Sequence, residues 1–171
     1  MNTKRIELNE LSKRIDPIVE MRESWFLVTA ENEGTVNTLT CGWGALGNLC
    51  EKKTAIVYIR PQRHTKQFMD ASGRFTMTFF DGHQQDLLFL GSHSGADMPD
   101  KIEQAGLHTT HVDGQPTFEE GKLVLNCKTI YKDALKPENF VESTLAETNY
   151  PDEDYSVMYI AEIESAYEII E

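Results

Sequence analysis

The chain has no apolar run near the roughly 20 residues a membrane-spanning helix requires, and Met1-Asn2-Thr3-Lys4-Arg5 leads into polar sequence rather than a signal-peptide core. A soluble, cytoplasmic protein is expected. Cysteine is scarce: Cys41, Cys50 and Cys127 cannot all pair within one chain, and no C-x-x-C is present to form a redox dithiol or a zinc knuckle. Reduced thiols are expected. Basic residues are also few, 16 Lys and Arg against 28 Asp and Glu, for a formal net charge of −12. This deficit argues against a nucleic-acid partner, whose binding draws most of its affinity from phosphate neutralisation.

Further absences narrow the chemistry. No G-x-G-x-x-G follows a strand, so no dinucleotide fingerprint is present. The five histidines, His64, His83, His93, His108 and His111, contain no H-E-x-x-H, and His108 and His111 would face opposite sides of a strand, so no metal site is expected. Gly91-Ser92-His93-Ser94-Gly95 lacks the G-x-S-x-G spacing of a nucleophile elbow, which leaves nucleophilic hydrolysis without support. No fixed-period repeat or low-complexity tract occurs.

What remains is ordinary globular composition, 40% hydrophobic and 26% charged over 171 residues. A single domain over 1–171 is expected, able to bury a core without metal or disulfide staples. Residues 1–20 read as an N-terminal arm with one short helical turn, broken by Pro17. Strands are predicted over Trp25–Ala30 and Val36–Thr40, joined by the Glu31-Asn32-Glu33-Gly34 turn, and over Thr54–Arg60, Arg74–Phe80, Leu123–Tyr131 and Tyr155–Ile163. Short helices are predicted over His64–Asp70, with Thr65 as N-cap, and over Gln84–Leu90, Pro99–Gly106 and part of Pro137–Asn149. Six or seven strands without a recurring strand-helix-strand unit favour an antiparallel arrangement, and periodicity leaves barrel and sandwich tied.

Two segments concentrate chemistry. Asn37-Thr38-Leu39-Thr40-Cys41-Gly42-Trp43-Gly44 gathers hydroxyls, an amide, a thiol and an indole beside glycines that let backbone approach a ligand. Arg60-Pro61-Gln62-Arg63-His64-Thr65 supplies two guanidinium groups and a hydroxyl near a helix start, where free N–H groups favour a phosphate. Together they suit a flat, phosphate-tailed ring. Each also has a plainer reading: an irregular glycine loop, a core tryptophan, surface ion pairs, a solvated histidine. Cys41 is either activated by its surroundings or a buried, inert thiol. Charge is uneven, with ten acids and no Lys or Arg from Glu138 to Glu171.

This pairing resembles the flavin reductase-like family of FMN-binding split barrels, in which an N-T-M-T-x-S-W-G loop lies along the isoalloxazine and an R-P-x-R-x-T turn holds the phosphate. Ser94-Gly95-Ala96-Asp97-Met98-Pro99-Asp100-Lys101 is similar to the family's S-G-R-D-x-D-K element, with Ala96 in place of Arg and one extra residue before Asp100. The resemblance implies a mainly β fold, a six-stranded antiparallel Greek-key split β-barrel with short peripheral helices. It also implies FMN as cofactor, a homodimer, and a flavin-dependent oxidoreductase working with a nicotinamide donor or a redox protein. A flavoredoxin-like electron carrier that does not use NAD(P)H is the alternative. Cofactor-binding residues implied are Asn37, Thr38, Leu39, Thr40, Cys41, Gly42, Trp43, Gly44, Arg60, Arg63, His64, Thr65, Ser94, Gly95 and Lys101. No catalytic residue is assigned.

Overall fold

A computed structural model describes residues 1–170. Among the described residues ten strands form: β1 (Asn2–Ile6), β2 (Phe26–Asn32), β3 (Thr35–Cys41), β4 (Gly44–Leu49), β5 (Lys52–Ile59), β6 (Arg74–Phe79), β7 (Thr109–Val112), β8 (Gln115–Phe118), β9 (Leu123–Ala134) and β10 (Val157–Ile170). Five short helices lie between them: α1 (Pro17–Val19), α2 (Thr65–Ser72), α3 (Gln84–Ser92), α4 (Lys101–Gln104) and α5 (Ser143–Asn149). The fold is mainly β and antiparallel, as the sequence leads one to expect.

The strand count differs from six. One eight-stranded sheet runs β3-β2-β6-β9-β10-β5-β4, with β1 also paired to β10, and β7-β8 form a separate hairpin. Among the described residues the ladder does not close. The long β10 makes this possible: its first half pairs β5, its second half pairs β1, and β9 runs along both. Register shifts between Ile160 and Ala161 and between Ile163 and Ser165 let it bend. The curled sheet buries one side of each strand, with Phe26, Val28, Leu39, Val57, Met77 and Tyr159 in one cluster. The two ends of the ladder approach each other: Cys41 Sγ on β3 lies 4.0 Å from the Tyr58 carbonyl oxygen on β5.

Several local predictions need correction. Residues 1–20 hold a helical turn, the 3-10 helix Leu8–Lys13, but also a strand that was not expected: Asn2–Ile6 pairs with Ala166–Ile170, and Leu11 and Ile15 are buried. The glycines after Cys41 do not make an irregular loop. Gly44 opens β4, and a Cβ there would meet the Ile56 carbonyl oxygen at 2.5 Å, so the residue is demanded by strand pairing rather than by a ligand. Thr65 is no N-cap: the residue before it, His64, has helical backbone and caps nothing, and Thr65 is buried in the first turn. The α2 terminus is as expected, with left-handed Gly73 donating to the Met69 carbonyl at 2.9 Å. The helix expected over Pro99–Gly106 contracts to α4, and Pro137–Asn149 splits into a 3-10 turn (Pro137–Asn139) and α5.

A second apolar cluster packs α3 on the outer side of the sheet, where Leu27 meets Leu87, Leu90 and Phe118. Helix α3 thereby sits beside β3, and Thr40 donates its hydroxyl proton to the Leu87 carbonyl. This placement brings the end of α3 to the site described next.

Candidate functional site

The end of β3, the end of β5 and the turn into α2 converge on a cleft of about 480 Å³, lined by Leu39, Thr40, Cys41, Gly42 and Trp43 on one stretch and by Tyr58, Arg60 and Arg63 on another. The volume falls within the roughly 300–1,000 Å³ of small-molecule sites. Asp152, Asp154 and Ser156, just before β10, complete the lining.

The two arginines are not equivalent. Arg60 is engaged: Nη1 bonds both oxygens of Asp154 at 2.6 and 2.5 Å, and Nη2 donates to the Asn149 carbonyl at 2.6 Å. The pairing holds the Asp154 carboxyl below the usual carboxylate range. Arg63 donates from Nη1 to the Gly91 carbonyl at 2.8 Å and, more weakly, from Nη2 to the Thr40 carbonyl at 3.5 Å. Lys101 is buried at 3% exposure, its ammonium donating to the carbonyls of Leu90 at 3.1 Å and His93 at 2.8 Å. Among the described residues neither Arg63 nor Lys101 has a carboxylate partner. Burial, and then the Arg63 charge, bring the Lys101 ammonium down to about 8. Burial, and to a lesser degree the Arg60 charge, also lower Arg63.

This is an unusual disposition of charge. Buried cations are normally paired, because desolvating an isolated charge is costly. Here two like charges rest mainly on the carbonyls at the C-terminal end of α3, whose partial negative charge offsets part of the cost. A guanidinium has five N–H donors and an ammonium three, so both groups retain donors that the protein leaves unused. The arrangement is suited to an anion.

The third sequence element delivers Lys101 to the end of α3, although Ser94, Gly95 and Lys101 themselves are not among the residues lining the cleft. Ser94 turns the chain, its Oγ accepting from the Ala96 N–H at 3.2 Å and its carbonyl from Met98 N–H at 2.9 Å. Gly95 lies against Asn37: a Cβ at Gly95 would come within 2.3 Å of Asn37 Oδ1. Asn37 is itself buried, and its Nδ2 has no hydrogen-bond partner.

Other expected site residues lie elsewhere. Thr38 faces away from the cleft, its hydroxyl shared with Thr29 Oγ1 at 2.8 Å and the Val28 carbonyl at 3.1 Å. His64 turns back on its own helix, with Nδ1 2.6 Å from Gln67 Nε2 and its ring edge-on to Phe68. Gly44 lines a neighbouring cleft of about 560 Å³ with Pro17, Ile18, Met21 and Leu135, which shares Gly42, Trp43 and Tyr58 with the first. Trp43, 45% exposed, stands between the two. Cys41 donates its thiol proton to the Trp43 carbonyl at 3.2 Å, and burial pushes the thiol up to about 11. Burial thus favours the neutral thiol of the plainer reading.

Sequence reasoning missed Tyr58, Gln62, Asp152, Asp154 and Ser156. Tyr58 was within reach, two residues before Arg60 on the same face of β5. Asp154 was not, since it meets Arg60 across 94 positions.

The profile described as "Flavin reductase like domain" matches residues 20–167. No curated protein sequence matches at a significant level. Among solved structures, the FMN-binding domain of a flavin reductases-like enzyme from Shewanella baltica is similar at TM-score 0.70 and 20% identity, over 98% of this chain and 77% of that one. Flavoredoxin from Methanosarcina acetivorans gives TM-score 0.64 and 18% identity over 84% and 67%. Nitrilotriacetate monooxygenase component B from Mycobacterium thermoresistibile gives 0.64 and 17% over 95% and 79%.

Proposed function

The chain belongs to the flavin reductase-like domain family, and from that premise we propose that it is an FMN-binding oxidoreductase whose cofactor lies in the cleft between β3 and β5, with the phosphate held by Arg63 and Lys101. The observation that carries this reading is a buried Lys101 and a half-buried Arg63 at the end of α3, neither with a carboxylate partner among the described residues. A terminal phosphate supplies the missing counter-charge and accepts from the unused donors. A single anion site of this size suits FMN rather than FAD.

The residues present fit the group. Leu39 to Trp43 offer backbone and side-chain surface to a planar ring, and the partnerless Nδ2 of buried Asn37 lies near the segment that bears Lys101. Bound FMN would supply the hydride and one-electron chemistry that no side chain here provides. The protein's part is to bind and orient. Cys41 stays protonated beside the cleft and contributes neither a nucleophile nor a charge.

Reducing equivalents pass between a nicotinamide donor and flavin or another acceptor. The second reading, an electron carrier that does not use NAD(P)H, is favoured by Asp152 on the cleft lining, which would repel a dinucleotide's phosphates. Exposed Ile18, Val19 and Trp43 suit burial against a second copy in a homodimer. The purified protein is expected to show flavin absorbance and to release FMN, identified by mass, on denaturation. Release of FAD, or no uptake from excess FMN, contradicts the proposal. Anaerobic addition of NADH or NADPH then divides the two readings: bleaching supports the first and an unchanged spectrum the second.

A further inference from the structure

The Arg60 side chain directs its contacts at one stretch of chain, residues 149–156, which leaves α5 and enters β10. It takes both carboxylate oxygens of Asp154 and the carbonyl of Asn149, and its Cζ lies 4.9 Å from the centre of the Tyr150 ring. Gln62 Nε2 adds a second donor to Asp154 at 2.6 Å. Tyr150 is buried, its hydroxyl bonds Ser156 Oγ at 3.1 Å, and its ring meets Trp43 edge-on at 6.1 Å. The stretch is thus folded on itself and fastened to the end of β5 chiefly by Arg60, with Gln62 as a second donor. Asp152, Asp154 and Ser156 from it line the proposed cofactor cleft.

An anion that recruited Arg60 would have to break two contacts from Nη1 to the Asp154 carboxylate, a third charge-assisted bond from Nη2 and a cation–π contact. At Arg63 and Lys101 it would displace no carboxylate. We infer that Arg60 is a positioning residue: it staples residues 149–156 against β5 so that this stretch walls the cleft, and Asp154 is its structural partner rather than a competitor for phosphate. This rests on the cleft being the FMN site, and it gives the first arginine of the R-P-x-R-x-T turn a different task from the second.

The test combines amide hydrogen exchange on the apoprotein with parallel titrations of FMN and riboflavin, which lacks the phosphate. Arg60→Ala and Asp154→Ala should each speed exchange over 149–156 several-fold while β2 and β6 are unchanged, and Arg60→Lys should recover part of the protection. Both alanine variants should weaken FMN and riboflavin by the same factor, about 3–10-fold, and the double variant should be no weaker than either single one. Tighter FMN binding in Asp154→Ala, or loss of FMN affinity alone in Arg60→Ala, would make Arg60 a phosphate ligand and overturn the inference. Unchanged exchange over 149–156 would overturn it as well. Failure of the wild type to bind either flavin would instead count against the cofactor reading, and the exchange data would still decide whether Arg60 is the staple.

Discussion

Arg63 and Lys101 dock on successive carbonyls of one helix end: Arg63 Nη1 is 2.8 Å from the Gly91 oxygen and Lys101 Nζ is 3.1 Å from that of Leu90. Arg63 lies in the turn before α2 and Lys101 opens α4, on either side of α3 and 38 residues apart in the chain by their numbers, and no carboxylate among the described residues joins them. The energetic consequence is a locally strained charge balance that an anion relieves, and it can be probed without knowing the electron donor.

Lys101 makes FMN affinity depend on pH. Its ammonium loses its proton near pH 8 in the free protein, whereas the phosphate, with a second pKa of about 6, is already dianionic there. The dianion stabilises the charged lysine, so binding above pH 8 takes up a proton and affinity falls as the pH rises from 8 to 10. Titration calorimetry in two buffers of different ionisation heat checks this, and Lys101→Met should abolish the slope.

The same group affects the apoprotein with the opposite sense. A lysine whose folded pKa is lowered penalises the folded state while it is charged, and the penalty lifts as the pH climbs from about 8 toward 10.5. Chemical denaturation at pH 8 and pH 10 should show the wild type gaining stability relative to Lys101→Met over that window.

Asp70 sets the acid limb. Burial alone would raise its carboxyl, but hydrogen bonds from Lys132, Lys66 and Tyr159 outweigh it and bring it down to about 2. A lowered carboxylate contributes stability above its unfolded pKa of about 3.9 that is lost as the pH falls through 2. Because the group is partly exposed, Asp70→Asn should cost only about 1 kcal/mol at pH 7, and the difference from wild type should vanish near pH 2.

Gly95 and Gly47 form a matched pair of probes. Alanine at Gly95 would collide with Asn37 and shift the segment carrying Lys101, whereas nothing lies within 4 Å of a Cβ at Gly47. Gly95→Ala is expected to lose about 1–3 kcal/mol of stability and to weaken FMN binding. Gly47→Ala should do neither, as thermal melts and flavin titrations will show.

The strands β2, β5 and β6 were legible from their runs of β-branched and aromatic residues, and β3 from the alternation over Val36–Thr40. The hairpin of β7 and β8 carried a signal that went unread: Asp113-Gly114, both at positive φ, is a two-residue hairpin turn. β1 had no such signal, since Asn2 to Arg5 are polar and exposed and owe their conformation to pairing with β10. At the site, the local motifs pointed to Leu39–Trp43 and Arg63. The division of labour between Arg60 and Arg63 was invisible, because Asp154 and the end of α3 reach them only through the tertiary fold.

The most direct test of the central claim is the ratio of FMN to riboflavin affinity in wild type, Arg63→Ala and Lys101→Ala at pH 7. Each substitution should weaken FMN by about 1.5–3 kcal/mol, the size of a charge-assisted hydrogen bond, and leave riboflavin affinity within experimental error of wild type. Equal loss for both flavins, or no loss for either, would place the phosphate away from the end of α3 and contradict the account.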